Sequence, residues 1–300
     1  MDFNPSYLKL SPKVLRDKIH TAEEILKSCT MCPRNCNIDR TQGETGFCRT
    51  DDKPFVSSWN AHFGEEAPLV GSHGSGTIFF THCNLGCLFC QNWAISHGDE
   101  GHNMSFEALA DIMITLQHYG CHNINLVTPS HQIPMILKSL EIAINKGLKV
   151  PLVYNCGGYE SLETLGLLDE IIDIYMPDFK FTDPEVAKEY SKAEDYPVVA
   201  KAAIKEMHRQ VGDLVIDEMG VAQRGLLVRH LVLPEGLAGT TEVVKFLADE
   251  ISTDTYTNIM SQYYPCYKAK NHPPLNRKLN SEEFEKAVQA AKDAGLKRLD

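Results

Sequence analysis

The strongest chemistry in this sequence lies in one short stretch. Thr77-Ile78-Phe79-Phe80-Thr81-His82-Cys83-Asn84-Leu85-Gly86-Cys87-Leu88-Phe89-Cys90 sets a C-x3-C-x2-C spacing directly after an apolar, β-branched run. On a helix, Cys83, Cys87 and Cys90 would share one face as small buried hydrophobes. Asn84, Gly86 and the preceding strand argue instead for a loop. Three thiolates close together in a loop can each take one iron of a cubane cluster, which leaves the fourth iron without a protein ligand. An open metal position of that kind binds substrate, as it does in catalytic rather than structural zinc sites.

A second group, Cys29, Cys32, Cys36 and Cys48, has the spacing C-x2-C-x3-C-x11-C, with Arg34, Arg40 and Arg49 nearby to favour thiolates. Pro33, Gly43 and Gly46 supply the turns of a metal knuckle. Zinc and a second 4Fe-4S cluster both accept four cysteines, so ligand count does not choose between them. Four ligands and no preceding strand suit a structural or electron-relaying centre rather than an open one. Cys121, Cys156 and Cys266 read as ordinary buried thiols.

Elements that would position these groups follow from the periodicity. Apolar β-branched runs at Thr77-Phe80, Asn123-Val127, Val150-Tyr154, Ile171-Tyr175, Leu226-Leu233 and Thr257-Gln262 predict six strands. Helical periods predict helices over Ser105-Tyr119, His131-Asn145, Ser161-Leu168, Pro184-Val211, Thr240-Ile251 and Ser281-Ala294, with a helical lead-in over residues 1–28. This βα alternation makes an α/β fold, either an open doubly wound sheet or an incomplete barrel. In both, ligands bind at the carboxyl ends of the strands. Thr128, Asn155, Asp178 and Lys180 fall there. Arg229 and His230 lie within the fifth strand, so only one of them can face the interior. The division expected is an N-terminal helix and four-cysteine metal knuckle over 1–75, a core over 76–270 and a C-terminal helix over 271–300.

Forty acidic against 29 basic residues leave a net charge of −11, which disfavours a nucleic-acid partner. No apolar run approaches a membrane span, and Met1-Asp2-Phe3-Asn4-Pro5 lacks signal-peptide features. Ten cysteines without that leader suit metal binding in a reducing, cytoplasmic setting rather than a disulfide framework.

The C-x3-C-x-Phe-C loop after a first strand resembles the hallmark of the radical S-adenosylmethionine (SAM) superfamily. The resemblance covers residues from about 76 to 270 and implies a partial (β/α)6 barrel with, here, an N-terminal cysteine-rich extension. It further implies a 4Fe-4S cluster whose open iron chelates SAM, reductive cleavage to a 5′-deoxyadenosyl radical, and an electron donor such as flavodoxin or ferredoxin. Thr128-Pro129-Ser130 stands where many members carry Gly-Gly-Glu-Pro, so the SAM amino group would be received by backbone carbonyls and the Thr128 hydroxyl. A carboxylate such as Asp178 would bind the ribose hydroxyls, with Asn155, Lys180 and Arg229 as further contacts.

Cys29-Thr30-Met31-Cys32-Pro33-Arg34-Asn35-Cys36, Asn125-Leu126-Val127-Thr128-Pro129-Ser130-His131 and Tyr175-Met176-Pro177-Asp178-Phe179-Lys180 resemble an uncharacterised branch related to pyruvate formate-lyase activating enzyme. That resemblance implies a protein substrate receiving a glycyl radical. The alternatives are radical chemistry on a small molecule or peptide and, from another class, a non-catalytic iron-sulfur or zinc protein for interaction or electron transfer.

Overall fold

The structure, a computed structural model, describes residues 3–300; Met1 and Asp2 of the expected lead-in lie outside them. Among the described residues, ten strands form one sheet: β1 Phe55–His62, β2 Ser75–Phe80, β3 His102–Asn103, β4 Ile124–Val127, β5 Leu152–Cys156, β6 Ile174–Pro177, β7 Val215–Ile216, β8 Ala222–Leu231, β9 Tyr256–Met260 and β10 Arg298–Leu299. The path runs β10-β9-β8-β6-β5-β4-β2-β1-β3, with β7 pairing off it to β8. From β2 to β9 every pairing along the path is parallel, and β1 runs antiparallel to β2.

Six parallel strands thus follow one another in chain order without a reversal. A doubly wound sheet requires a switch point where the order turns back, and none occurs here. The sheet is a partial (β/α)6 barrel, and the choice that periodicity left open is made by topology.

Strand alternation sorts the side chains. Tyr154, Tyr175, Leu226 and Val228 join the large core under the helices, whereas Val153, Ile174, Met176 and Leu227 form a separate inner cluster with Leu69. Residues two positions further along the inner rows, Asn155, Asp178 and Arg229, therefore face inward above an apolar floor. Leu69, from a short helix at Ala67–Val70, plugs that floor.

The six expected strands are all present, with shifted bounds. The fourth begins at Ile174 rather than Ile171, because buried Asp173 turns its carboxylate to the amides of Ser6 and Leu152. The helix expected over Pro184–Val211 is two, Pro184–Ser191 and Tyr196–Val211. Lys192 adopts a left-handed φ of 57°, and Pro197 in the first turn of the second helix lacks the N–H a continuous helix would need. Strand β1 carried no clear sequence signal, since it is only partly buried and most of its residues stay half-buried or exposed.

Candidate active site

The cysteine loop leaves β2 and docks on the break between those two helices. Gly86 N–H donates to Ser191 O (3.0 Å) and Leu88 N–H to Tyr190 O (2.9 Å), while Lys268 and Ala269 donate to Leu88 O. Gly86 fits because a Cβ there would lie 2.9 Å from Lys192 Cδ and 3.3 Å from Phe47 Cζ. Phe89, between the second and third cysteines, is buried edge-on against Phe181 and Tyr263. His97 donates from Nε2 to Cys87 O (2.9 Å) and stacks on Tyr267. These contacts give the loop one conformation without any disulfide.

Each sulfur has a hydrogen-bonding neighbour. Leu85 N–H donates to Cys83 Sγ (3.3 Å), Ser191 Oγ lies 2.9 Å from Cys87 Sγ, and Ser96 Oγ lies 3.0 Å from Cys90 Sγ. Burial pushes all three thiols up, while the Lys180 ammonium acts in the opposite sense on each. Metal ligation would have to displace those protons, and hydrogen bonds to sulfur with a nearby cation would stabilise the resulting thiolates.

Opposite the loop stand the strand ends. A cavity of about 260 Å³ is lined by Cys83, Cys87 and Cys90 and by Thr128, Asn155, Asp178, Lys180 and Arg229. The residues singled out from strand position and those singled out from cysteine spacing thus share one wall-to-wall space. Asp178 accepts from Lys180 Nζ (2.6 Å) and from Arg229 Nε (2.9 Å), and Arg229 also reaches Asn155 Oδ1 (2.7 Å) and Glu65 Oε2 (3.4 Å). Burial works to raise Asp178, but Arg229 and Lys180 outweigh it and hold the carboxyl below its ordinary value. This is an internal network rather than a surface ion pair. His230 faces the other way, paired with Phe179 O and Thr240 Oγ1 as a satisfied structural residue.

Thr128 takes a left-handed φ of 58°, which is strained for a β-branched residue and doubly so before proline. Its N–H donates to Asn155 O (2.8 Å). Gly158, at φ 77°, ends the β5 turn where a Cβ would meet Asp178 O at 2.4 Å.

Sequence reasoning missed three residues. Glu65 and Glu66, before the plug helix, reach Arg229 and Asn258 from beneath; as charges in an irregular segment they read like solvated surface. Glu160 is buried, accepting from Ser130 Oγ (2.6 Å) and Tyr154 Oη (2.9 Å). Burial raises its carboxyl to about 7. A raised carboxyl favours the protonated fold, so the stability it confers is full below the ordinary value of 4.5 and is lost as pH rises toward 7. Relative to Glu160→Gln, the wild-type unfolding free energy should fall by on the order of 3 kcal/mol across that window. Parallel denaturant titrations of the two proteins at several pH values would contradict this if their stabilities ran parallel.

Cys29, Cys32, Cys36 and Cys48 line a different, smaller cavity. Among the described residues, no group of three or more His, Cys, Asp or Glu side chains is arranged to hold a single metal ion, and no helix is long and apolar enough to cross a membrane.

The family model of the radical SAM superfamily matches residues 77–221, from β2 through the cysteine loop to the start of β8. The uncharacterized protein MJ0674 of Methanocaldococcus jannaschii is 35% identical over 305 residues, spanning 98% of this chain and 83% of its own length. The uncharacterized protein MJ0808 of the same organism is 25% identical over 294 residues, spanning 90% of this chain and 79% of its own.

Proposed function

Because the chain belongs to the radical SAM superfamily, we propose that Cys83, Cys87 and Cys90 hold a 4Fe-4S cluster at the mouth of the barrel, where SAM is cleaved reductively. The observation that carries this is the single cavity shared by those three thiols and five polar groups at the strand ends. The residues suit the group. Three thiols lining one cavity suit a cubane, in which each thiolate takes its own iron. When bound, the cluster supplies one electron to SAM and so a 5′-deoxyadenosyl radical for hydrogen-atom abstraction.

The chain's own residues bind and orient SAM. Lys180 and Arg229 are the cations available to its carboxylate. The carbonyl and hydroxyl of Thr128 accept from its amino group, with the strained backbone at that position setting their direction. Asp178 uses two lone-pair sites on Lys180 and Arg229 and keeps the others for a ribose hydroxyl. Asn155 fixes the Arg229 guanidinium from one side and Glu65 from the other. Leu231, Leu233 and Met260 close the wall with apolar surface, which strengthens every polar contact within.

Radical SAM enzymes commonly draw their electron from flavodoxin or ferredoxin, and a reducing cytoplasm suits ten free thiols. For the substrate we adopt a glycine of a protein partner, supported by the resemblance of the segments at Cys29–Cys36 and Tyr175–Lys180 to an uncharacterised branch related to pyruvate formate-lyase activating enzyme. Anaerobic reconstitution, then dithionite and SAM, should yield 5′-deoxyadenosine; a fully loaded cluster that leaves SAM intact would overturn the reading. A SAM-dependent glycyl radical in a co-isolated partner, read by electron paramagnetic resonance (EPR), tests the substrate. Turnover with that partner but no protein radical would point to a small molecule or peptide instead.

A further inference from the structure

The N-terminal cysteines take no part in the site above. The knuckle closes on itself: Cys29 N–H donates to Ile38 O (2.8 Å), Asn37 N–H to Cys29 O (3.0 Å) and Asn35 N–H to Cys32 O (3.1 Å). Gly46 leaves space for the Cys36 sulfur, which a Cβ would meet at 2.6 Å. All four thiols line one cavity with Arg40 and His131.

Two buried groups there lack what they need. Arg40 is 1% exposed and donates to the carbonyls of Asp51 (2.6 and 3.1 Å) and His131 (2.9 Å), with Cys29 Sγ 3.9 Å away. It forms no ion pair among the described residues. A guanidinium buried so completely calls for an anion. His131, also 1% exposed, donates from Nε2 to Thr81 O (2.7 Å), which leaves Nδ1 buried without a partner while the ring lines the cysteine cavity. The uncompensated Arg40 cation beside four thiols suits an anionic metal-thiolate centre, and the lone pair on His131 Nδ1 is a second buried group that the protein's own side chains leave unpartnered. Zinc and a cubane both accept four thiolates; the contacts of this knuckle with the other cysteine loop favour the one that carries electrons.

The two cysteine groups also touch. Arg34 donates to Asn84 O (2.9 Å), next to Cys83, and to the carbonyls of Ser191 and Lys192 at the helix break. Phe47, next to Cys48, packs beside Gly86, next to Cys87. His131 binds the carbonyl of Thr81 at the base of the same loop. On the outer side, Phe47 is 38% exposed and Cys36 partly so, giving a soluble carrier a point of approach.

We propose that Cys29, Cys32, Cys36 and Cys48 hold a second 4Fe-4S cluster, braced by Arg40, that relays single electrons to the cluster of the proposed SAM site. The relay rests on that reading for its acceptor; the second cluster does not. Each transfer oxidises a reduced one-electron carrier of the flavodoxin or ferredoxin class by one electron, and no bond forms or breaks.

The test uses the full chain with Cys83, Cys87 and Cys90 all changed to Ala, reconstituted anaerobically. The variant should bind about four irons and four sulfides and, once reduced, give an EPR signal that SAM leaves unchanged, because all four irons are ligated. Zinc in place of iron, or no metal in a variant folded by circular dichroism, would overturn the second cluster. Wild-type protein gives an independent reading: about eight irons and two reduced signals, only one of them altered by SAM. The variant with Cys29, Cys32, Cys36 and Cys48 changed to Ser should still form 5′-deoxyadenosine with dithionite but lose most of its rate with reduced flavodoxin. Equal rates with flavodoxin would remove the relay. Were wild type to cleave no SAM while the first variant held its four irons, the SAM site would fail and the second cluster would stand.

Discussion

Replacing Cys83, Cys87 or Cys90 singly by alanine should bring 5′-deoxyadenosine formation down to the level of the protein-free mixture. Two thiolates do not hold a cubane with one open corner, and the hydrogen-bonding neighbours of the sulfurs are the hydroxyls of Ser96 and Ser191, the amide of Leu85 and Asn84 Oδ1, none of them a thiolate. The variants should keep their fold, because the loop is held by backbone bonds to Tyr190 and Ser191 and by Phe89, none of which involves a thiol proton. Product measured alongside iron content and circular dichroism separates loss of the cluster from loss of structure. A folded single variant with undiminished turnover would take that cysteine out of the ligand set.

Arg229→Met should be the most damaging single change in the barrel wall. The guanidinium is held by Asp178, Asn155 and Glu65, and its removal leaves Glu65 buried without a cation and Asp178 with Lys180 alone. Burial already raises the Glu65 carboxyl, with Arg229 the first influence opposing it. Breaking a buried pair by removing one partner costs about 3–5 kcal/mol, large beside the stability of an ordinary domain. Urea unfolding should show this loss, and SAM affinity should fall with it. Adding Asp178→Asn should cost less than the sum of the separate changes, since the first has already removed one of that carboxylate's two cationic partners. A variant as stable as wild type would show that the network adds nothing to the fold.

The spacing of Cys83, Cys87 and Cys90 was legible because thiol chemistry is local: three thiols in eight residues need no distant partner to declare themselves. The strand ends were legible for a related reason, as alternation on β8 allows only one of Arg229 and His230 to turn inward, although which one depends on where the inner apolar row begins. Helix caps were equally local; Asn280 and Glu283 bond each other's backbone as an acidic first turn leads one to expect. The break at Lys192 was not legible, because a left-handed residue in a helical pattern is stabilised by what docks on it, here the cysteine loop itself.

The sequence by itself therefore determined the clustering of the cysteines, the α/β alternation and the set of polar groups at the strand ends, all of which depend on residues near one another along the chain. Tertiary structure alone decided that the strands run in unreversed order, that Glu65 closes the charge network from below, and that Arg40 and His131 turn toward the N-terminal thiols. The physical reason is that a buried polar or charged group is tolerated only where its hydrogen-bonding partner is delivered. Those partners come from segments separated by 164 residues for Glu65 and Arg229 and 91 for Arg40 and His131, distances along the chain over which neither periodicity nor spacing carries a signal.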